Sequence, residues 1–396
     1  MTDPPTPRTE GAARPSLVSH VRAVHGPGLA AAMERAVAPF GGWRTLVSPG
    51  ERIAVKVNLL RAAPPGAAVT THPETLRCIL QGLKEAGARP FVADSPGGAN
   101  PAAKVARAWR ISGIAQVCRE ERVELVDVDS APAPLACPDG RLFRAFTVGG
   151  PFLDADGIVQ VGPLKTHVLM RLTGGVKLGF GCVPGLLKAQ LHVRAPRRED
   201  FADMLLDLYL ALQPRFTVID GVLAMEGQGP GGGRPLELGS LFAAADAIAL
   251  DAALADRTAH ERASIYTLAR AAGRGLIDLD DPYRTAGDPV EPFLGFLPAV
   301  KDAPGMVPAH FRRLARRSVA ARPRLVRADD CTRCGDCAQI CGVRAISLTP
   351  QPRIDDERCV RCYACAEICP SGALDVVTPT AARLLGRSRR RRNFSG

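Results

Sequence analysis

The pattern of apolar and polar positions predicts strands alternating with helices along the first 311 residues. "RIAVKVNLL" (52–60) is short and rich in strand-forming residues, "PETLRCILQGLKEAGA" (73–88) has apolar residues at helical spacing, and "PFVAD" (90–94) again has strand character. This order predicts a β-α-β unit, in which a helix joins two parallel strands.

The same alternation continues further along the chain. "KVARAWRISGIAQVCREE" and "EDFADMLLDLYLALQ" have the pattern of helices, whereas "VELVDVD", "GIVQVG" and "RFTVID" have that of strands. We therefore predict an α/β fold with a mainly parallel or mixed sheet and flanking helices. Ligands of such sheets bind beyond the carboxyl ends of the strands.

Polar residues collect in four segments at or just after predicted strand ends. One of them, 161–192, is unusually long for a connection, so we expect it to have a function. The other three are "VKVNLL" with Lys56 and Asn58, "VADSPGG" with Asp94 and Ser95, and "IDGVLAMEGQGPGGG" (219–233) with Asp220 and Glu226.

Lysine is concentrated in these four segments. Only seven of the 51 basic residues are lysine, and Lys56, Lys165, Lys177 and Lys188 all lie there. A compact ammonium group can approach a single oxygen or change its pKa in a way that a planar guanidinium cannot. Glycine runs such as "TGG" and "GQGPGGG" can add backbone N–H groups, and together these features predict a site for an anionic ligand, carboxylate or phosphate. Simple turns remain the alternative for each glycine run.

Histidines and carboxylates in the same segments complete the predicted site. A metal site could use such residues, but no short ligand spacing is present, so hydrogen-bonded pocket residues are the favoured interpretation. Cys182 is either a reactive thiol or, as a lone cysteine among apolar neighbours, a small buried side chain. We predict catalytic roles for Lys165, His167, Lys177, Lys188 and His192, and substrate-binding roles for Lys56, Asn58, Asp94, Ser95, Asp220 and Glu226.

The C-terminal part contains two cysteine runs of identical spacing. "CTRCGDCAQICG" and "CVRCYACAEICP" each follow C-x2-C-x2-C-x3-C and hold eight of the twelve cysteines. In the bacterial two-cluster pattern, three cysteines of each run bind one cluster and the fourth binds the other. We therefore predict two [4Fe-4S] clusters, one held by Cys331, Cys334, Cys337 and Cys369 and one by Cys359, Cys362, Cys365 and Cys341.

Zinc ribbons and disulfide frameworks are the alternatives for these cysteines. Zinc ribbons usually pair two C-x2-C knuckles across a longer gap, and disulfides need an oxidising compartment. The first 20 residues lack the apolar core of a signal peptide, and no run reaches the roughly 18 apolar residues that a membrane span needs. We expect a cytoplasmic protein without a transmembrane segment.

Two family resemblances rest on these motifs. Residues 328–379 resemble the bacterial two-[4Fe-4S] ferredoxin family, although Gly342 follows Cys341 where Pro370 follows Cys369. "VKVNLL", "THPETL", "ADSPGG", "PLKTHVLMRLTGGVKLGFGCVPG", "DGVLAMEGQGPGGG" and "ADAIALD", within residues 17–260, resemble the family called domain of unknown function 362. The second resemblance implies an iron–sulfur protein with a polar pocket, and it implies no particular reaction.

The excess of basic over acidic charge is confined to two tracts. Residues 312–327 hold seven arginines and residues 383–396 hold six, without any acid in either tract. We divide the chain into a body (1–311), a basic linker (312–327), a ferredoxin domain (328–379) and a basic disordered tail (380–396). The tail is a solvated terminus or a tether to an acidic redox partner or anionic membrane surface. We expect no nucleic-acid binding, because aromatic residues are not interleaved with the arginines.

Two classes of function fit these features. In a redox enzyme, the clusters would pass electrons to or from an anionic substrate or cofactor in the body. In a docking or carrier scaffold, the body would only present the clusters to a redox partner protein. We favour the enzyme, because a scaffold has no use for lysine, histidine and carboxylate side chains concentrated at strand ends. A cluster close to the pocket would support the enzyme, and clusters facing outward on a flexible arm would support the scaffold.

Overall fold

A nine-stranded sheet runs through the body. The computed structural model describes residues 16–299 and 321–377. The strands of the sheet are β1 Ser16–Arg22, β2 Arg52–Lys56, β3 Arg89–Ala93, β4 Glu124–Val126, β7 Gly157–His167, β8 Arg171–Leu172, β9 Phe216–Glu226, β10 Arg234–Ala244 and β11 Tyr283–Gly287. They lie in the order β11-β1-β10-β9-β7-β2-β3-β4, and β8 pairs with β7. Two further strands, β5 Pro132–Ala136 and β6 Ala145–Gly149, form a separate hairpin.

Most neighbouring strands in this sheet are parallel. β4, β3, β2, β7 and β9 all run in one direction, and β11 runs parallel to β1. β10 is antiparallel to both β9 and β1. Parallel neighbours require crossover connections, which helices supply here. The predicted α/β fold with a mainly parallel or mixed sheet is therefore confirmed.

Helices cover both faces of the sheet, because alternate strand residues face opposite sides. The helices of the body are α1 Leu29–Val37, α2 Trp43–Leu46, α3 Pro73–Glu85, α4 Ala102–Ile111, α5 Ile114–Glu121, α6 Gly150–Leu153, α7 Gly174–Leu178, α8 Gly185–Arg194, α9 Arg198–Leu212, α10 Ala247–Arg257 and α11 Tyr266–Ala272. Ile53 and Val55 of β2 belong to the core that includes α1, α3 and α5. Ala54 belongs to the core that includes α9 and α10.

Helix α3 shows how the sequence sets one of these elements. His72 caps its start by accepting a hydrogen bond from the Glu74 N–H at 3.3 Å, and Pro73 occupies the first helical position. Leu76 and Ile79 lie one turn apart and are buried against the sheet. Burial of each such side chain contributes about 1.5–3 kcal/mol, so the apolar face holds the helix in place.

The parallel strands end at one edge of the sheet. Lys56 ends β2, Asp94 follows β3, His167 ends β7 and Glu226 ends β9. Carboxyl ends of parallel neighbours lie side by side, so this edge gathers side chains from distant parts of the sequence.

The C-terminal module, residues 321–377, is built from short elements. β12 Arg322–Leu325 pairs with β15 Leu374–Val377, and β13 Ile346–Ser347 pairs with β14 Arg353–Ile354. Two short helices span Asp336–Gln339 and Ala364–Ile368. Residues 322–325 were predicted to be linker, but they form a strand because Leu325 packs into the apolar cluster of the module. Residues 312–320 of that linker and the predicted tail, 380–396, lie outside the described residues.

The C-terminal module packs directly against the body. Ala189 of α8 shares an apolar cluster with Ile340 and Ile368 of the module. Gln228 Nε2 donates a hydrogen bond to the carbonyl of Val376 at 3.0 Å. None of the helices within the described ranges is long and apolar enough to cross a membrane.

Candidate functional site

The eight cysteines of the two runs form two groups of four. Cys331, Cys334, Cys337 and Cys369 line one cavity of the C-terminal module. Cys341, Cys359, Cys362 and Cys365 line another. Each group takes three cysteines from one run and the fourth from the other, which is the crossed arrangement that two [4Fe-4S] clusters require.

The chemistry of these cysteines fits iron–sulfur clusters. Burial, reinforced by neighbouring thiolates, raises the pKa of Cys337 to about 11 and that of Cys362 to about 12. Thiols must lose their protons to bind iron, so iron has to supply the favourable charge that this environment lacks. Cys341 Sγ also accepts a hydrogen bond from the Ala345 N–H at 3.1 Å, a contact of the kind that adjusts cluster potentials.

A buried ion pair lies at the ends of β2 and β3. Lys56 Nζ is 3.3 Å from Asp94 Oδ1, and both side chains are almost fully buried. Asp94 also accepts hydrogen bonds from the N–H groups of Leu59 at 2.5 Å and Ser95 at 3.0 Å. Gly181 lies directly above the pair, where any Cβ atom would overlap Lys56 and Asp94. The glycine of "GFG" is therefore required by close packing on this ion pair.

Lys165 reaches the same region from the end of β7. Its Nζ donates to Asn58 Oδ1 at 2.5 Å and to the carbonyl of Val69 at 2.8 Å. Burial, with the nearby ammonium of Lys177, holds the pKa of Lys165 well below its ordinary value. The two acceptors explain how a lysine can be buried here, since each replaces a hydrogen bond that the ammonium group would make to water.

His167 presents a protonated nitrogen to the C-terminal module. Its Nδ1 accepts hydrogen bonds from the N–H groups of Leu169 at 3.1 Å and Met170 at 3.3 Å, so the neutral ring carries its proton on Nε2. Nε2 lies 3.3 Å from Glu367 Oε1. The two atoms are not aligned for a hydrogen bond, and neither has a hydrogen-bond partner among the described residues. Burial holds the pKa of His167 well below its ordinary value.

Glu367 brings a carboxylate from the C-terminal module into this cluster of cations. Burial raises its pKa, and the ammonium groups of Lys177 and Lys165 oppose that rise. Burial likewise lowers the pKa of Lys177, which Glu367 opposes. Lys177 Nζ lies 5.8 Å from the centre of the Phe180 ring and makes no hydrogen bond within residues 16–299 and 321–377. We call the set Lys56, Lys165, Lys177, Lys188, His167 and Glu367 the lysine site.

Lys188 and His192 extend the lysine site along α8. Lys188 Nζ donates to the carbonyls of Ser95 and Val183, both at 2.6 Å, and burial lowers its pKa to about 8. His192 Nδ1 donates to the Lys188 carbonyl at 2.7 Å, and burial lowers the pKa of His192 to about 4. A neutral His192 is therefore stable here at physiological pH.

Two polar residues beside Lys188 were not singled out from the sequence. Asp129 Oδ1 accepts from Ser95 Oγ at 2.5 Å, and Asp129 Oδ2 accepts from Asn100 Nδ2 at 2.6 Å. Asp129 also accepts the N–H of Gly185 at 3.3 Å, at the start of α8. This network fixes the 94–100 loop against α8 and so positions Lys188.

Asp220 and Glu226 have hydrogen-bond partners outside the lysine site. Asp220 accepts hydrogen bonds from Thr75 Oγ1 at 2.5 Å and from the Val222 N–H at 2.9 Å, and its Oδ2 lies 3.1 Å from His25 Nε2. Glu226 pairs with Arg234 and accepts the Leu297 N–H at 2.8 Å. Both carboxylates stabilise the body through these contacts, and their substrate-binding roles stay predictions. The buried oxygens of these carboxylates already have partners in Thr75, His25 and Arg234.

Cys182 and possible single metal ions add nothing to the site. Cys182 is fully buried, and burial raises its pKa to about 12, so its thiolate is not accessible near neutral pH. Among the described residues, no group of three or more His, Cys, Asp or Glu side chains is arranged to hold a single metal ion.

Comparison with known proteins identifies both parts of the chain. The model of the family described as domain of unknown function (DUF362) matches residues 53–256. The chain belongs to the DUF362 family. The matched region of this DUF362 protein contains all four lysines of the lysine site, and the 4Fe-4S dicluster domain model matches residues 330–373, which contain all eight clustered cysteines. The resemblances that the sequence predicted are confirmed, and the DUF362 chain is an iron–sulfur protein.

A relative and a solved structure extend the comparison of this DUF362 protein. A thylakoid-associated protein of Synechocystis sp. is 33% identical over 256 residues, which cover 63% of this chain and 75% of the relative. The lactate racemase apoprotein from Thermoanaerobacterium thermosaccharolyticum matches with a TM-score of 0.37 and 12% identity, over 61% of this chain and 56% of that chain. The second likeness is partial and carries nothing on activity.

Proposed function

We propose that this chain is a redox enzyme in which two [4Fe-4S] clusters exchange single electrons with an anionic substrate or cofactor at the lysine site. A redox partner protein would load or unload the clusters, and the cytoplasm is the proposed location. The cluster ligands would be the two groups of four cysteines in the C-terminal module. When bound, the clusters supply one-electron chemistry.

The contact between Glu367 and the lysine site carries the proposal. Glu367 lies in the helix Ala364–Ile368, next to Cys365 and Cys369, which belong to different cysteine groups. Its carboxylate faces His167 and is electrostatically coupled to Lys165 and Lys177. Both cysteine groups therefore have a ligand within two residues of a side chain in the lysine site, as electron transfer to that site would require.

The residues of the lysine site have distinct proposed roles. Lys165 and Lys177 would bind the negative charge of the substrate, because they are the cations coupled to the existing carboxylate of Glu367. His167 would hold a proton at Nε2, an atom without a hydrogen-bond partner among the described residues. Lys188, with a pKa of about 8, can hold or release a proton near neutral pH.

Reoxidation of the reduced protein tests this function. Full-length, anaerobically reconstituted protein is reduced with dithionite, desalted, and mixed with the small-molecule fraction of an extract from the source organism. We expect the visible absorption of the clusters to recover in the wild type and in Lys84→Ala, a matched control on α3. We expect Lys177→Ala to keep its iron, because cysteines alone hold the clusters, and to lose this recovery. Equal recovery in Lys177→Ala and Lys84→Ala would defeat the proposal.

One observation favours the scaffold as a second candidate function. Glu367 already provides a carboxylate to Lys165 and Lys177, so the only role of the lysine site could be to bind the C-terminal module. In that case only a partner protein, added in place of the small-molecule fraction, would reoxidise the clusters. The same reoxidation assay with the protein fraction of the extract separates the two functions.

A further inference from the structure

A second cavity lies between the body and the C-terminal module. It has a volume of about 400 Å³, within the range of small-molecule sites. One wall comes from the Leu60–Ala62 segment, from Pro96 and Gly97, and from α4 of the body, and the other comes from Thr332–Asp336 and Ile368–Pro370 of the module. We call this cavity the interface cleft.

Basic side chains outnumber acidic ones in the interface cleft. Arg61, Lys104 and Arg107 line it, against the single carboxylate of Asp336. Lys104 Nζ pairs with Asp336 at 3.0 Å, so the charges of these two side chains cancel. Arg61 and Arg107 remain as two cations without a carboxylate in the cleft.

Arg61 is held in place by two backbone carbonyls. Its two terminal nitrogens donate to the carbonyls of Gly231 at 2.8 Å and Pro370 at 3.4 Å, which connects the body to the module. Its Nε is buried and has no hydrogen-bond partner among the described residues. A guanidinium fixed by backbone carbonyls is preorganised for an anion, because little side-chain entropy remains to be lost on binding.

The remaining walls of the interface cleft are mostly apolar. Leu60, Ala62, Ala108 and Ile368 contribute carbon surface. An inorganic anion would leave that surface in contact with water, whereas an organic molecule would cover it. The combination of two cations and apolar walls selects an anion with an apolar body.

The interface cleft is also lined by one cysteine group and by two loops that carry partners of the lysine site. Leu60 and Pro96 lie on the two loops that carry Asn58 and Asp94. Cys334, a member of the cysteine group completed by Cys369, lies in the opposite wall. A molecule in the cleft would therefore touch a cluster-binding loop on one side and the loops that follow β2 and β3 on the other.

We propose that the interface cleft binds a small organic anion, a carboxylate or a phosphate ester with an apolar body, between Arg61 and Arg107. Its use as the redox substrate rests on the proposed function. Binding itself does not, because it requires only the cleft, its two arginines and its apolar walls.

Calorimetric titration of the full-length, anaerobically reconstituted protein at low ionic strength tests the proposal. The probes are 2-naphthoate and 2-naphthyl phosphate, with uncharged 2-naphthylmethanol for comparison. We expect both anions to bind at least about tenfold more tightly than the alcohol, a difference of about 1.4 kcal/mol. Bound anion should also change the electron paramagnetic resonance spectrum of the reduced clusters, because Cys334 lines the cleft.

Two variants of α4 provide the matched comparison. Arg107→Gln removes a cleft cation, and Arg110→Gln removes an exposed arginine one turn away that does not line the cleft. We expect about a tenfold loss of anion affinity in Arg107→Gln and none in Arg110→Gln. Undetectable binding of both anions, equal affinity for the alcohol, or equal behaviour of the two variants would overturn the proposal.

The two proposals fail in different measurements. If the anions bind as expected but Lys177→Ala still reoxidises like the wild type, the interface cleft is a ligand site and the enzyme proposal is wrong. If Lys177→Ala loses reoxidation but Arg107→Gln binds the anions like Arg110→Gln, the enzyme proposal holds and the cleft proposal is wrong.

Discussion

Replacing Gly181 by alanine should destabilise the body through a single added methyl group. Gly181 lies in the 3-10 turn Gly179–Cys182, above the buried pair of Lys56 and Asp94. Its backbone does not have a positive φ, so alanine adds no backbone strain. The new Cβ would overlap Asp94 Oδ1 and Lys56 Nζ by more than half an ångström relative to the 3.0 Å that real Cβ atoms keep.

The size of the effect follows from what holds this pair. Asp94 cannot move aside freely, because it accepts hydrogen bonds from the N–H groups of Leu59 and Ser95. Breaking a buried ion pair costs about 3–5 kcal/mol, a large part of the roughly 5–15 kcal/mol by which a domain is stable. At roughly 2–4 °C per kcal/mol, the melting temperature should fall by about 6–20 °C.

Thermal unfolding followed by circular dichroism measures this loss, with iron content checked beforehand. Gly66→Ala is the control, since Gly66 is exposed and a Cβ there would meet nothing within 4 Å. In an Asp94→Ala background, Gly181→Ala should lose much of its effect, because the overlap with Asp94 and the ion pair are then gone and Lys56 can move aside. A melting temperature of Gly181→Ala within about 2 °C of that of Gly66→Ala would refute the reasoning, because this difference corresponds to at most about 1 kcal/mol.

Three further changes test other parts of the structure. Reconstituted wild type should bind about eight irons, and Cys369→Ser should damage the cluster bound by the first cysteine run; spectroscopic loss of the other cluster would contradict the crossed grouping. Glu367→Gln should weaken docking of the module, seen as faster hydrogen exchange in both 165–178 and 364–368, whereas unchanged exchange in 165–178 would show that the contact is unimportant. Burial lowers the pKa of Lys188 from 10.5 to about 8, so between these pH values the folded state binds fewer protons than the unfolded state. The free energy of unfolding of the wild type, measured in urea, should therefore rise by up to about 3 kcal/mol relative to that of Lys188→Met between pH 8 and pH 10.5. A constant difference between the two proteins from pH 8 to pH 10.5 would contradict the lowered pKa of Lys188.

Local pattern was enough to predict the first β-α-β unit. Residues 52–56, 73–85 and 89–93 form β2, α3 and β3, because each segment has one consistent period of apolar residues. The cysteine spacing likewise predicted both groups of four, because it matches the bacterial two-cluster pattern, in which the fourth cysteine of each run binds the other cluster. In both cases the deciding information lies within a short stretch of chain.

Strand lengths were harder to predict, as the position of Asp220 shows. β7 and β9 run on to His167 and Glu226, well past the predicted ends in "GIVQVG" and "RFTVID". Buried polar side chains such as Lys165 conceal a strand from any hydrophobic pattern, because their partners come from elsewhere in the fold. Asp220 therefore lies within β9, where it accepts a hydrogen bond from Thr75, and not at the end of that strand.

Glu367 and Asp129 differ in whether the sequence could have revealed them as site residues. Asp129 is the last residue of the predicted strand "VELVDVD", so its place at a strand end was a usable signal. Glu367 carries no such signal, because an acid between two cysteines is ordinary in an acidic ferredoxin segment. Its role arises only when the C-terminal module docks on the end of β7, more than 190 residues earlier in the chain. The catalytic roles assigned to the lysine site stay predictions.

The place of Glu367 between two cluster ligands limits how freely the two parts of this chain could be exchanged in evolution or by design. A two-cluster module taken from another protein could supply eight thiols and the same clusters. Without an acid two residues before its last cysteine, it would leave Lys165 and Lys177 without the carboxylate that now faces them. Such a fusion would still carry electrons, but its interface would lack the carboxylate that the lysines of the body need. The sequences of the body and the module therefore have to match each other.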